Sequence, residues 1–165
     1  MRTLTIAIVG GADADVEVEE LAFEVGRKIA EAKATLICGG RGGVMEAAAR
    51  GARALGGHTI GILPGYDACD ANPYIEFVVA TGMGQARNVI VVASADAVIA
   101  LSGEGGTHSE IGFAFKLGRP IVGLRAWREI TGIEHLDDPA DAVQRALELA
   151  KSAAPMGNPA RHEAD

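Results

Sequence analysis

A chain of 165 residues is long enough to bury one domain's core, and a net charge of −7 argues against nonspecific nucleic-acid binding, which needs a basic surface. Apolar residues make up 48% and aromatics only 4%, which suits close helix-on-sheet packing joined by short glycine turns. The apolar run at the N-terminus is too short for a secretory signal, and none elsewhere is long enough to span a bilayer, so the expectation is a cytoplasmic protein.

In chain order, the first predicted strand is 4–9 (LTIAIV), which ends at Gly10-Gly11. The next four residues, Ala12-Asp13-Ala14-Asp15, do not complete the G-x-G-x-x-G of a nicotinamide-dinucleotide turn. A helix near 16–32 comes next, with Val18, Leu21, Ala22, Val25 and Ile29 on one face. The strand at 34–38 reaches Cys38 and turns at Gly40-Arg41-Gly42-Gly43 into a helix near 43–56. After the strand at 58–63, residues 64–74 (PGYDACDANPY) carry turn residues and no helical period. They read either as a rim or lid on the ligand side or as a plain surface connection. A strand at 75–79 leads to a helix near 83–94 whose later half is apolar all round. The strand at 96–101 turns at Gly103-Glu104-Gly105-Gly106 into a helix near 106–117, followed by a strand at 120–124 and a helix near 139–151. Continuous apolar strands alternating with helices predict a Rossmann-like, doubly wound α/β domain over residues 1–152, with its ligand at the carboxyl ends of a parallel sheet. Residues 153–165 are polar and proline-broken and read as a flexible tail, His162 within it as a solvated side chain.

The two G-x-G-G turns carry the functional signal. Glycine lets a ligand approach the backbone, and the helix start behind it offers free N–H groups and positive charge to a phosphate. Gly103, Gly105, Gly106 and Thr107 form one candidate phosphate seat, and Gly40, Arg41, Gly42 and Gly43 the other, with Gly10 and Gly11 beside them. Thr107-His108-Ser109-Glu110 also has the spacing of a capping box, so that reading stands beside the phosphate one. Ser109 reads either as a further donor near that N-terminus or as a tolerated helix residue. Glu46 and Arg50 are i, i+4 neighbours and predict a surface ion pair, although Glu46 also lies near the candidate site. Arg87 falls at the start of a helix, where the dipole disfavours a cation, so an anionic partner or ligand should offset it. Cys38 and Cys69 have no metal-ligand spacing and His108 has no companion, so no metal is expected. Cys38 reads as a buried free thiol.

The segments GGRGGVMEAAARGA, GGHTIGILPG, ANPY, TGMGQARN and GEGGTHSEIGFAFKLGRPIVGL resemble the Lonely Guy (LOG), or lysine decarboxylase-like, superfamily. Within it they look closest to the short branch that includes molybdenum cofactor carrier proteins. The resemblance covers about residues 4–124. It implies a nucleotide-binding protein, with Arg87 and Glu110 as catalytic residues of a phosphoribohydrolase that cleaves the N-glycosidic bond of a nucleoside 5′-monophosphate. Arg87 would fix the substrate and hold Glu110 ionised, and no cofactor is needed. The alternative it implies is a non-catalytic binding or carrier protein for a phosphorylated cofactor such as molybdopterin. Two departures stand out: Ser102 replaces the enzymes' proline, and Glu104 their second glycine. The Glu104 carboxylate should point away from the phosphate or meet Arg41 or Arg87. The expected partners are a small phosphorylated ligand and further copies of the chain, with neither nucleic acid nor membrane. The apolar residues 89–93 and Ile111, Phe113, Phe115 and Leu117 motivate a homodimer or higher homo-oligomer.

Overall fold

The computed structural model describes residues 2–153. Among these residues five α-helices and seven strands follow in the order β1 (Thr5–Val9), α1 (Val16–Glu31), β2 (Thr35–Cys38), α2 (Val44–Ala54), β3 (Thr59–Leu63), β4 (Phe77–Ala80), α3 (Asn88–Ala93), β5 (Ala97–Ala100), α4 (Gly105–Lys116), β6 (Ile121–Leu124), β7 (Glu134–Leu136) and α5 (Pro139–Ser152). The strands make one sheet in the order β4-β3-β2-β1-β5-β6-β7, parallel at every pairing. This is the doubly wound α/β topology expected.

Both faces of the central strands are covered, and the alternation of side chains shows how. Ile6 and Ile8 of β1 point into a core with α1, α2 and α5, while Ala7 and Val9 point into a second core with α3 and α4. Helix starts are set by local chemistry: Asp15 accepts from the Val18 amide at α1, and Asp138 accepts from Ala140 and Asp141 at α5.

Three elements differ from the sequence reading. β7 was not expected, because Glu134-His135-Leu136 is short and half-exposed and so lacks an apolar run. The strand expected at 75–79 is shifted to Phe77–Ala80, since Ile75 closes a turn by donating its N–H to the Asn72 carbonyl, 3.2 Å. The helix expected over 83–94 begins as a 3-10 turn at Gly84–Arg87 and becomes α-helical only at Asn88. The tail and His162 lie outside the described residues, apart from Ala153. No described helix is long and apolar enough to cross a membrane.

Candidate functional site

A cleft of about 380 Å³ opens at the carboxyl edge of the sheet, where β1 and β5 meet and the strand order reverses. Its walls are Gly10 to Asp13 after β1, Arg41 and Met45 around the start of α2, Pro64 after β3, Gln85, Arg87 and Asn88 before and at α3, and Glu104, Gly106, Thr107 and Glu110 of the α4 turn. The structure therefore brings Gly10, Gly11, Arg41, Arg87, Gly106, Thr107 and Glu110 to one place.

The other predicted glycines, Gly40, Gly42, Gly43, Gly103 and Gly105, are not among the lining residues. Gly43 shows the different job such residues do. It has φ +60, and a Cβ there would sit 2.4 Å from the carbonyl oxygens of Gly11 and Ala12. Beside it the Val44 amide donates to the Gly11 carbonyl (3.0 Å), and the Gly11 amide donates in turn to the Ser102 carbonyl (2.9 Å). The three turns are thus packed directly on one another, and the glycines make that approach sterically allowed.

The capping-box reading of Thr107 and Glu110 does not hold. α4 starts earlier, at Gly105, with Glu104 as its N-cap residue and no side-chain capping bond there. Thr107 and Glu110 lie inside the helix and are buried. The amides of Gly105, Gly106 and Thr107 consequently lack intrahelical acceptors and sit at the positive end of the dipole. Two neighbours serve packing. The His108 ring meets Trp127 edge-on with centroids 4.5 Å apart. The Ser109 hydroxyl donates to the Gly106 carbonyl at 2.7 Å and accepts from Asn88 Nδ2 at 3.0 Å.

Arg87 and Glu110 form a buried charged pair, Nη1 to Oε1 at 3.9 Å, with side chains 7% and 8% exposed. Arg87 also donates to the Asn88 side-chain oxygen and, at 3.5 Å, to the Gly39 carbonyl, while its buried Nε has no partner among the described residues. Arg87 meets the anionic partner that its position at the start of α3 called for. The expectation that Arg87 keeps Glu110 fully ionised is corrected. Burial pushes the Glu110 carboxyl up to about 7, and Arg87 offsets only part of that rise. Burial likewise pushes the Cys38 thiol beneath the cleft up to about 12. Cys38 and Cys69 are both unbridged.

One further pairing differs from expectation. Arg50 lies over the Phe23 ring, 5.3 Å from its centroid, and no Glu46–Arg50 ion pair occurs among the described residues. A cation over an aromatic face gains burial of its stem as well as charge–quadrupole attraction, which an exposed ion pair lacks. Of the two alternatives for Glu104, the ion pair with Arg41 or Arg87 does not occur among the described residues, and the residue is exposed at the rim. Water screens a charge in that position, and the N-terminus of α4 favours it. Sequence reasoning missed Ala12, Asp13, Met45, Pro64, Gln85 and Asn88 as lining residues. Only Asn88 carried a usable signal, as a polar residue opening an otherwise apolar helix.

With this geometry in view, comparison with known proteins places the chain. A model of the SLOG cluster4 family matches residues 3–153. The chain belongs to the SLOG cluster4 family. This SLOG protein resembles the molybdenum cofactor carrier protein of Chlamydomonas reinhardtii at 31% identity and TM-score 0.83, covering 92% of this chain and all of that one. It matches the molybdenum cofactor binding protein of Rippkaea orientalis at 34% identity and TM-score 0.81, covering 92% and 98% of the two chains. It is also 35% identical over 127 residues to a cytokinin riboside 5′-monophosphate phosphoribohydrolase of Mycobacterium tuberculosis, covering 71% of this chain and 67% of that protein. These matches establish membership of the LOG-like superfamily, with structural likeness to molybdenum cofactor carriers.

Proposed function

We propose that this SLOG protein is a binding or carrier protein for a phosphorylated cofactor of the molybdopterin class. The observation that carries the proposal is the anion seat: the uncapped first turn of α4 faces a cleft that Arg41 and the buried Arg87 also line. At about 380 Å³ the cleft falls in the ordinary range for a small-molecule site. The residues suit a pterin phosphate. The α4 amides and the arginines would take the phosphate, and Asp13, Gln85 and Glu104 offer polar groups to the ring's amide and amino edge. The exposed Glu104 favours this ligand over a bare small anion, because a donor-rich ring compensates a rim carboxylate that a phosphate alone would feel as repulsion. The likeness to two molybdenum cofactor proteins along nearly the whole chain supports the same reading.

Phosphoribohydrolase action is the second reading, and the Arg87–Glu110 pair favours it. A carboxyl near 7 in a cleft is suited to exchanging a proton with substrate. In that reading Glu110 would orient a water and stabilise the positive charge developing at C1′ of the ribose. The test is one experiment with two arms: the chain is titrated with molybdopterin, and incubated with AMP while free base is assayed. The carrier reading expects saturable pterin binding and no base release. Base release that Glu110→Gln abolishes would replace it with the hydrolase reading.

The proposal includes a homodimer or higher homo-oligomer in a reducing cytoplasm. Phe77 and Val79 on β4 are about half exposed, as are Met83 and Phe115, although α3, α4 and the β6–β7 connection with Trp127 and Ile133 pack on that face of the sheet. A second copy of the chain is the proposed cover.

A further inference from the structure

The segment between β3 and β4 touches both arginine-bearing turns of the cleft. At one end the Gly84 amide donates to the Pro64 carbonyl (2.9 Å) and the Gly82 amide to the Gly65 carbonyl (2.8 Å), holding the approach to the Gly84–Arg87 turn. At the other end sits Asn72, a polar residue only 8% exposed. Its Nδ2 donates to the Arg41 carbonyl at 2.8 Å, its backbone amide donates to the Gly40 carbonyl at 2.9 Å, and its Oδ1 accepts from the Tyr74 amide at 3.0 Å. Two consecutive carbonyls of the β2–α2 turn therefore hang on one residue. Arg41 itself is exposed, so nothing about its own burial fixes where the guanidinium stands.

We infer that Asn72 is a positioning residue: by holding the two peptide groups that flank Arg41 it presents the Arg41 guanidinium to an anion in the cleft. The 64–74 segment is then a brace between the two arginine turns rather than a lid. A buried asparagine with donor, acceptor and amide all engaged is costly to bury unless every bond is made, which is why it defines one position for the turn. The inference rests on the anion-seat reading above, and its test separates the two.

Asn72→Ala removes the side-chain bond to Arg41 and leaves the backbone bond to Gly40. Asn72→Ser is the milder companion, since its hydroxyl still takes the Tyr74 amide in a serine turn but does not reach Arg41. The first measurement needs no ligand: tryptic cleavage after Arg41 against cleavage after Arg128, an exposed arginine in a separate loop. Loss of one hydrogen bond should open the Arg41 turn about tenfold more often, with the Arg128 rate unchanged. A general loss of stability would instead raise both rates together, and equal rates in wild type and variants would overturn the inference. The second measurement is affinity for inorganic pyrophosphate, which reports the anion seat without a ring. Asn72→Ala should weaken it about tenfold in the wild-type chain and less than about twofold in an Arg41→Ala background, because the two residues act as one. Equal weakening in both backgrounds would overturn the positioning role. A wild-type chain that binds neither pyrophosphate nor molybdopterin would remove the function proposed above, and the cleavage ratio would still decide whether Asn72 holds the turn.

Discussion

Glu110 should make this protein's stability depend on pH in a direction opposite to that of an ordinary salt-bridged carboxylate. Two unit charges 3.9 Å apart attract by about 4 kcal/mol at an effective dielectric constant of 20. The carboxyl nevertheless rises from 4.5 to about 7, so burial costs its ionised form more than Arg87 returns. The folded state therefore binds the proton more tightly than the unfolded chain. This contribution to stability is fully present below pH 4.5 and is lost as the pH rises through about 7. The shift corresponds to about 3 kcal/mol in all, of which about 2 kcal/mol is lost between pH 5 and 7.5. Glu110→Gln keeps the shape and cannot ionise. Urea unfolding of both proteins at pH 5 and 7.5 should show the variant gaining about 2 kcal/mol on the wild type over that interval, or about 5 °C in melting temperature. Other titrating groups cancel in the difference. A stability difference that does not change with pH, or one that changes in the other sense, would refute the assignment of a raised Glu110.

Gly106→Val should fold normally yet bind pterin phosphate at least about tenfold more weakly. A Cβ there meets nothing nearer than Asn88 Nδ2 at 3.9 Å, and the added methyls project toward the cleft, as a binding titration beside a melting curve would show. Gly43→Ala should instead cost about 3 kcal/mol or more in urea unfolding, because a positive φ and two carbonyls at 2.4 Å both oppose the Cβ; a loss under about 1 kcal/mol would contradict the packing of the three turns. Sedimentation equilibrium at micromolar concentration should report a dimer or larger assembly, and Phe77→Ser should shift it toward monomer. A wild-type monomer would leave the exposed β4 face without its proposed cover.

The sheet and its ligand edge were legible because each central strand is a short apolar run bounded by glycine or a polar residue. LTIAIV, ATLIC and DAVIAL could be nothing else once helical rhythms stood between them. The glycine turns announced the site in the same way, since two strand-to-helix turns of one composition in one domain must lie at one edge of a parallel sheet. Which glycines would face the ligand was not legible. Gly43 and Gly103 look the same as Gly106 in sequence, yet they serve to pack turn against turn, a tertiary contact with no local signature. Thr107 and Glu110 had the spacing of a capping box, but spacing cannot say where a helix begins. Here the two residues before Thr107, both glycines, are already helical, and α4 starts at the first of them. β7 and the Asn72 brace were invisible for a related reason: both depend on partners far along the chain, and neither has a periodic pattern of its own.

Native mass spectrometry of the gently purified protein tests the central claim most directly, since it reads what the cleft holds without presupposing a reaction. The account predicts an adduct with the mass of a phosphorylated pterin, one per chain, absent from the Gly106→Val variant. A wild-type chain that carries no such adduct and takes up none when mixed with molybdopterin, or an adduct that persists unchanged in the variant, would contradict it.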